Sequence, residues 1–324
     1  MHERIAANVR KSWLLVGGFV VFVALIGWLF GAYLGYGMWG LAAALGIAAV
    51  MTTGSYFSSD KVALSMSRAR PGDPVQFKRL HNIVEGLSIA AGIPKPRVYV
   101  VDDRAPNAFA TGRDPQHSAV AVTTGLLEVM NRDELEGVVA HELSHIQNRD
   151  TLVMTIAVTL VGVVVLLADW LLRAMWWGAG SSRNNRGGGM GAPLALVGLA
   201  LLVLAPFIAR ALQFAISRRR EFLADADAVN FTRYPDGLVN ALEKLRADQT
   251  VVRSASRATA HLWIEAPIAR QAQGGPPGKR ASKRGAWLNR LFDTHPPLEE
   301  RIEALRSTTP RQGAGPSSRS APPG

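Results

Sequence analysis

Four long apolar stretches decide what this chain can fold into. A helix needs about 20 apolar residues to cross a hydrocarbon core. The first stretch runs from Trp13 to Leu34 and the second from Tyr36 to Phe57. The third runs from Thr151 to Leu172, and the fourth from Ala192 to Ile216, interrupted late by Pro206 and Arg210. Gly40, Gly46 and Gly54 give the second span room for close helix packing. The first span is too long in its apolar region for a cleaved signal peptide. A second span follows within a few residues, so the first reads as retained.

Basic residues give the orientation. Arg4, Arg10 and Lys11 precede the first span, and Lys61, Arg68, Arg70, Lys78 and Arg79 follow the second. The short connection between them has none. The N-terminus and the segment 58–150 are therefore expected on the cytoplasmic side. The third and fourth spans then form an out-and-back hairpin with the outer loop "WWGAGSSRNNRGGGMGAP". Arg183 and Arg186 in that loop run against this assignment, but Arg210 and Arg218 to Arg220 on the return side outweigh them. Trp170, Trp176 and Trp177 form an interfacial belt at the outer face, with Asp169 reaching headgroup water. The net charge of +11 fits an anionic membrane surface, because Lys and Arg flank the spans. It gives no reason to expect a nucleic-acid partner.

Between the spans the pattern changes. In 58–150, Asp73 is expected to cap a helix that begins at Pro74 and ends at Gly92. "RVYVVDD" (97–103) and "SAVAVTTG" (118–125) read as strands, with "NAFATG" (107–112) between them. Asn131 and Glu134 have capping-box spacing at the start of a further helix. After the fourth span come a helix containing "RREFLADADA", another from Asp236 to Ala247, a basic Gly/Pro-rich loop at 271–286, and "DTHPPLEERIEAL". The division expected is 1–57 with two spans, 58–150 as an α+β subdomain, 151–216 as the hairpin, 217–306 as a helical subdomain, and 307–324 as a disordered tail.

The helix that begins at Asn131 carries "HELSH". His141 and His145 are four apart, so they share one helix face and can grip one ion. Glu142 lies beside the first histidine, where its carboxylate can take a proton from a water whose pKa zinc has lowered toward about 7. There is no cysteine, which rules out disulfides and thiolate ligands. A hydrolytic zinc needs a third protein ligand, so that ligand must be His or a carboxylate. Glu221 in "EFLAD" is the best candidate, and Asp225 shares its helix face. One of the two can bind zinc while the other holds a histidine N–H. The plain alternative is a solvated acid pair beside Arg218 to Arg220. Membrane geometry favours the metal: His145 lies about 9 Å of helix rise before the third span, and Glu221 about 7.5 Å after the fourth. His2, His81, His117 and His261 have no partner at ligand spacing.

These segments, "NAFATG", "HELSHIQNRD", "SRRREFLADADA", "HLWIEAP" and "LFDTHPPLEERI", resemble in order those of the HtpX-type membrane zinc metalloproteases, relatives of the prenyl-protein CAAX proteases. The resemblance implies an α-helical membrane protein with four transmembrane helices and a cytoplasmic α+β zincin-like (gluzincin) protease domain. It implies one Zn2+ per chain, held by His141, His145 and Glu221, with Glu142 as catalytic base and Asp225 in support. It further implies a bacterial inner-membrane endopeptidase acting in quality control and stress response. Its partners would be polypeptide substrates, mainly membrane proteins, and the lipid bilayer, with a homo-oligomer open. By the same resemblance, Asn107, Ala108 and Phe109 hold the substrate backbone by strand addition, and His295 stabilises the oxyanion. A prenyl-protein CAAX protease is one alternative, although four spans are too few for that family's chamber. A non-catalytic membrane adaptor braced by zinc is the other, against which three ligands and Glu142 argue for an open site.

Overall fold

The computed structural model describes residues 2–33, 35, 37–154, 218–248, 250, 263–264 and 296–308. Two long helices open the chain, α1 (His2–Tyr33) and α2 (Met38–Met66), packed against each other. At 1.5 Å per residue they are about 48 and 44 Å long, more than a bilayer core requires. The stretches Ile5–Leu25 and Leu41–Ser58 each have a mean hydropathy of 1.4 and are long and apolar enough to cross a membrane. Trp13, Val21, Trp39, Ile47 and Val50 are exposed on them. So large an apolar surface suits lipid better than water. The expected third and fourth spans, the outer loop and its tryptophans lie outside the described residues, apart from a helical start at 150–154.

Helix α2 continues past Phe57, the expected boundary, to Met66, because "SSDKVALSM" contains no Gly or Pro to stop it. It stops where Arg68 turns left-handed, at φ 53°, and the Ala69 N–H closes back onto the Leu64 carbonyl at 2.9 Å.

A four-stranded sheet follows. Its strands are β1 (Arg70–Pro71), β2 (Arg97–Val101), β3 (Ala108–Gly112) and β4 (Ser118–Thr123), in the order β1-β2-β4-β3. β2 and β4 are parallel, while β3 runs antiparallel to β4 at the sheet edge. Side chains alternate between two faces. Val98, Val100, Ala110, Val120 and Val122 enter the main core, whereas Phe109, Ala119 and Ala121 face a second cluster with Ala63, Leu64 and Trp263.

Helix α3 (Lys78–Ala91) lies under the main face, and Gly92 ends it in a left-handed conformation, as expected. Its start is not at Pro74. Asp73 instead closes one separate turn: its carboxylate accepts from the N–H groups of Val75 and Gln76, both at 2.8 Å. The helix then begins afresh after Phe77. A short helix α4 (Thr124–Val129) leads to α5 (Arg132–Gln147). Asn131 and Glu134 form the expected capping box, and Glu134 also pairs with Lys244 at 2.6 Å. Helices α6 (Arg218–Thr232), α7 (Pro235–Ala247) and α8 (Leu298–Thr308) complete the described fold.

The segments expected as two subdomains share one core. Leu80, Val84 and Leu143 from the first pack with Ala228, Leu242 and Leu305 from the second. Helices α5 and α7 approach so closely at Gly137 that an added Cβ would lie 2.7 Å from the Leu238 nitrogen.

Candidate metal centre

Helix α5 is buried along most of its length, including His141, Glu142 and His145. The spacing of four puts both imidazoles on one face, with Nε2 atoms 3.2 Å apart. Helix α6 packs across α5 and presents Glu221 to both. The Glu221 carboxylate lies 3.6 Å from His141 Nε2 through one oxygen and 3.6 Å from His145 Nε2 through the other. The three residues offer ligand atoms within 4.8 Å of one another and are all buried. Neighbouring ligands of a tetrahedral zinc, at bonds of about 2.0–2.1 Å, are about 3.3 Å apart. Separations of 3.2 and 3.6 Å agree with that edge. Two imidazole nitrogens and a carboxylate also suit zinc chemically.

The far nitrogens of both rings face carboxylates. His141 Nδ1 is 2.8 Å from Asp225 and His145 Nδ1 is 3.0 Å from Asp150. An N–H donated at Nδ1 leaves the Nε2 lone pair for a metal, and the carboxylate makes it more basic. Asp225 is clamped by Arg301, whose Nε and Nη2 donate to its two oxygens at 2.9 and 2.6 Å. Burial pushes the Asp225 carboxyl up, but the Arg301 charge and hydrogen bonds overcome this and hold it below the usual range. Asp225 therefore stays anionic. Burial and Arg301 push the His141 imidazole down, but hydrogen bonds to Asp225 and Glu221 outweigh them and raise it to about 9. Arg301 is fully buried and its proton is held more tightly than usual. Burial opposes the charge, and the charges of Asp225, Glu221 and Glu142 overcome that.

Two of these supporting residues, Arg301 and Asp150, do not follow from motif spacing. Arg301 carried a readable signal. In "LEERIEALRST" the apolar stripe is Leu298, Ile302 and Leu305, and Arg301 sits on that stripe. A charge on a buried face is the informative deviation. Asp150 was hidden because it lies five residues past His145, beyond the end of α5 and a left-handed Arg149, whose φ is 57°.

Asn107 is buried just before β3. Its side-chain oxygen accepts from the Ala108 N–H at 3.0 Å, and its backbone oxygen accepts from Thr123 N–H at 3.0 Å. The alternation of an antiparallel pair then turns the main chain of Ala108 and Ala110 to the outer edge. That edge already has an occupant at one point: Ile264 N–H donates to the Ala108 carbonyl at 2.9 Å. Phe109 is fully buried, with its ring 4.7 Å from that of Trp263. His295 lies outside the described residues, as do the 271–286 loop and the tail from 309.

Comparison with known proteins agrees with this geometry. The model of peptidase family M48 matches residues 74–309. The chain belongs to peptidase family M48. It is 44% identical over 310 residues to a "Protease HtpX homolog" of Caldanaerobacter subterraneus, covering 95% of this chain and 98% of that one. It is 41% identical over 311 residues to another from Streptococcus pneumoniae, covering 94% and 99%. Among solved structures it is similar to the crystal structure of S. mikatae Ste24p, at 18% identity and a TM-score of 0.46, over 94% of this chain and 67% of that one. As an M48 member the chain is a zinc metalloprotease with the site His141, His145 and Glu221, and the adaptor reading falls.

Proposed function

We propose that this M48 protease is an endopeptidase embedded in a bacterial inner membrane by four spans. Its site lies at the cytoplasmic surface and cuts misfolded or damaged membrane proteins. The carrying observation is the placement of Glu142. It is buried on the helix that supplies both histidines, one residue from His141, and a site for peptide hydrolysis needs a base there. When bound, zinc supplies Lewis acidity that polarises the scissile carbonyl and acidifies a water. Glu142 takes the proton from the attacking water, holds it, and delivers it to the leaving amine. Asp225 and Asp150 hold the imidazoles, and Arg301 keeps Asp225 in place. His295 stabilises the charge developing on the scissile oxygen, and His295→Ala is expected to lower kcat about 10²–10³-fold.

The substrate is held as an added strand on the outer edge of β3, beside Asn107, Ala108 and Phe109. Main-chain groups on that edge read backbone and little sequence, which suits a protease for unfolded segments. Peptide binding there must displace Ile264 from Ala108.

Two measurements test this reading. Purified Glu142→Gln should keep its zinc and lose cleavage of an unfolded polypeptide by several orders of magnitude; unchanged cleavage contradicts the assigned base. A topology reporter fused at Ser67 should read cytoplasmic and one within 180–190 external; the reverse contradicts the orientation.

A further inference from the structure

Asp150 stands where three helices meet. One carboxylate oxygen is 3.0 Å from His145 Nδ1 on α5. The other is 2.7 Å from the side-chain nitrogen of Asn8 on α1 and 3.6 Å from an Arg220 nitrogen on α6. The same Asn8 nitrogen donates to the Asn148 carbonyl at 2.9 Å, just past the end of α5. Both amide protons of Asn8 are thereby used. The opposite orientation of the amide would set its oxygen against two acceptors, so the neighbours fix which atom is nitrogen. Asn8, Asp150 and His145 are all buried, with exposures of 6%, 3% and 5%. A hydrogen bond to a carboxylate so removed from water is among the stronger kinds.

We propose that Asn8, on the first membrane helix, is a positioning residue of the zinc site: it holds the Asp150 carboxylate that orients His145. The proposal rests on the zinc site as read above, but not on the substrate. Asp150 has rotational freedom of its own. Asn8 and Arg220 restrain the oxygen that His145 does not use, and so set the one it does. The seating of α1 against the protease core is therefore coupled to the direction of a zinc ligand. No sequence motif marks this, since Asn8 and Ser12 stand four apart in a helix start that also carries Arg4, Arg10 and Lys11.

The test uses the full chain in detergent and reads zinc affinity by chelator competition. It also records the visible ligand-field bands of the cobalt-substituted protein. Asn8→Ala should weaken zinc binding about tenfold, the low end for partners beyond the ligands, and shift the cobalt bands. Asp150→Asn should weaken it further. In the Asp150→Asn background, Asn8→Ala should then add little, because both changes break one chain of contacts. If Asn8→Ala does not fold, Asn8→Ser replaces it, with a side chain one bond too short to reach both acceptors, and the same results are expected. Unchanged affinity with unchanged cobalt bands would overturn the proposal. So would losses that simply add in the double variant, which would make Asn8 an anchor for α1 and nothing more. These readouts do not depend on cleavage, so they stand apart from Glu142→Gln.

Discussion

At the residue scale, the centre gathers buried charged groups, among them Glu221, Asp225, Asp150 and Arg301. Such groups are tolerated only when paired, and removing one partner strands the other. Arg301→Met should therefore cost about 3–5 kcal/mol, because buried Asp225 loses two donors and the charge that holds it anionic. Thermal unfolding of the metal-free protein would show it, and a melting point within error of wild type would contradict the clamp. Arg301→Lys should restore little, since an ammonium cannot donate in parallel to both oxygens. Asp225→Asn should weaken zinc about 10–100-fold by giving up the carboxylate at His141 Nδ1. Equal affinity in chelator competition would remove Asp225 from the site. His141, His145 and Glu221 were legible in sequence from donor type and spacing. Of the residues that hold them, Asp225 was readable from its place on the Glu221 helix face and Arg301 left a signal on its apolar stripe, whereas Asp150 was not readable, because hydrogen-bond partners brought together by the fold have no fixed spacing.

At the element scale, the sheet and α5 were the most legible parts. The β-rich runs "RVYVV" and "SAVAVT" match strands packed on both faces, and Asn131 with Glu134 marked the start of α5. The start of α3 was misplaced because Asp73 is a good cap for any turn, and sequence does not say whether that turn continues. Helix α2 outruns the apolar span Leu41–Ser58 because a span and a helix are different things: lipid sets the first and capping the second. The pairing of α5 with α7 depends on the lack of a side chain at Gly137. Gly137→Ala should force the helices apart and cost about 1–3 kcal/mol, read as a lower melting temperature. No change would mean that the close approach at Leu238 is relaxed at no cost.

At the scale of the whole molecule, the protease core is one body assembled from segments on either side of residues 155–217. Leu242 and Leu245 come after that interval and pack with Leu80 and Val84 from before it. Periodicity identifies an apolar face but not its partner, so the packing of 58–150 against 217–306 is seen only in space. The zinc site sits on the seam, with two ligands from α5 and one from α6. Zinc should therefore join the halves. Zinc at 100 times its dissociation constant should add about 2.7 kcal/mol of stability, and a melting point insensitive to chelator would contradict this.

Glu221 returns from beyond residues 155–217 to complete a site that α5 begins. Zinc content per chain, measured on wild type and on Glu221→Ala purified without added metal, tests this most directly. The wild type should hold one zinc per chain and Glu221→Ala should lose most of it, with the fold retained by circular dichroism. A Glu221→Ala protein that keeps a full equivalent of zinc would contradict this.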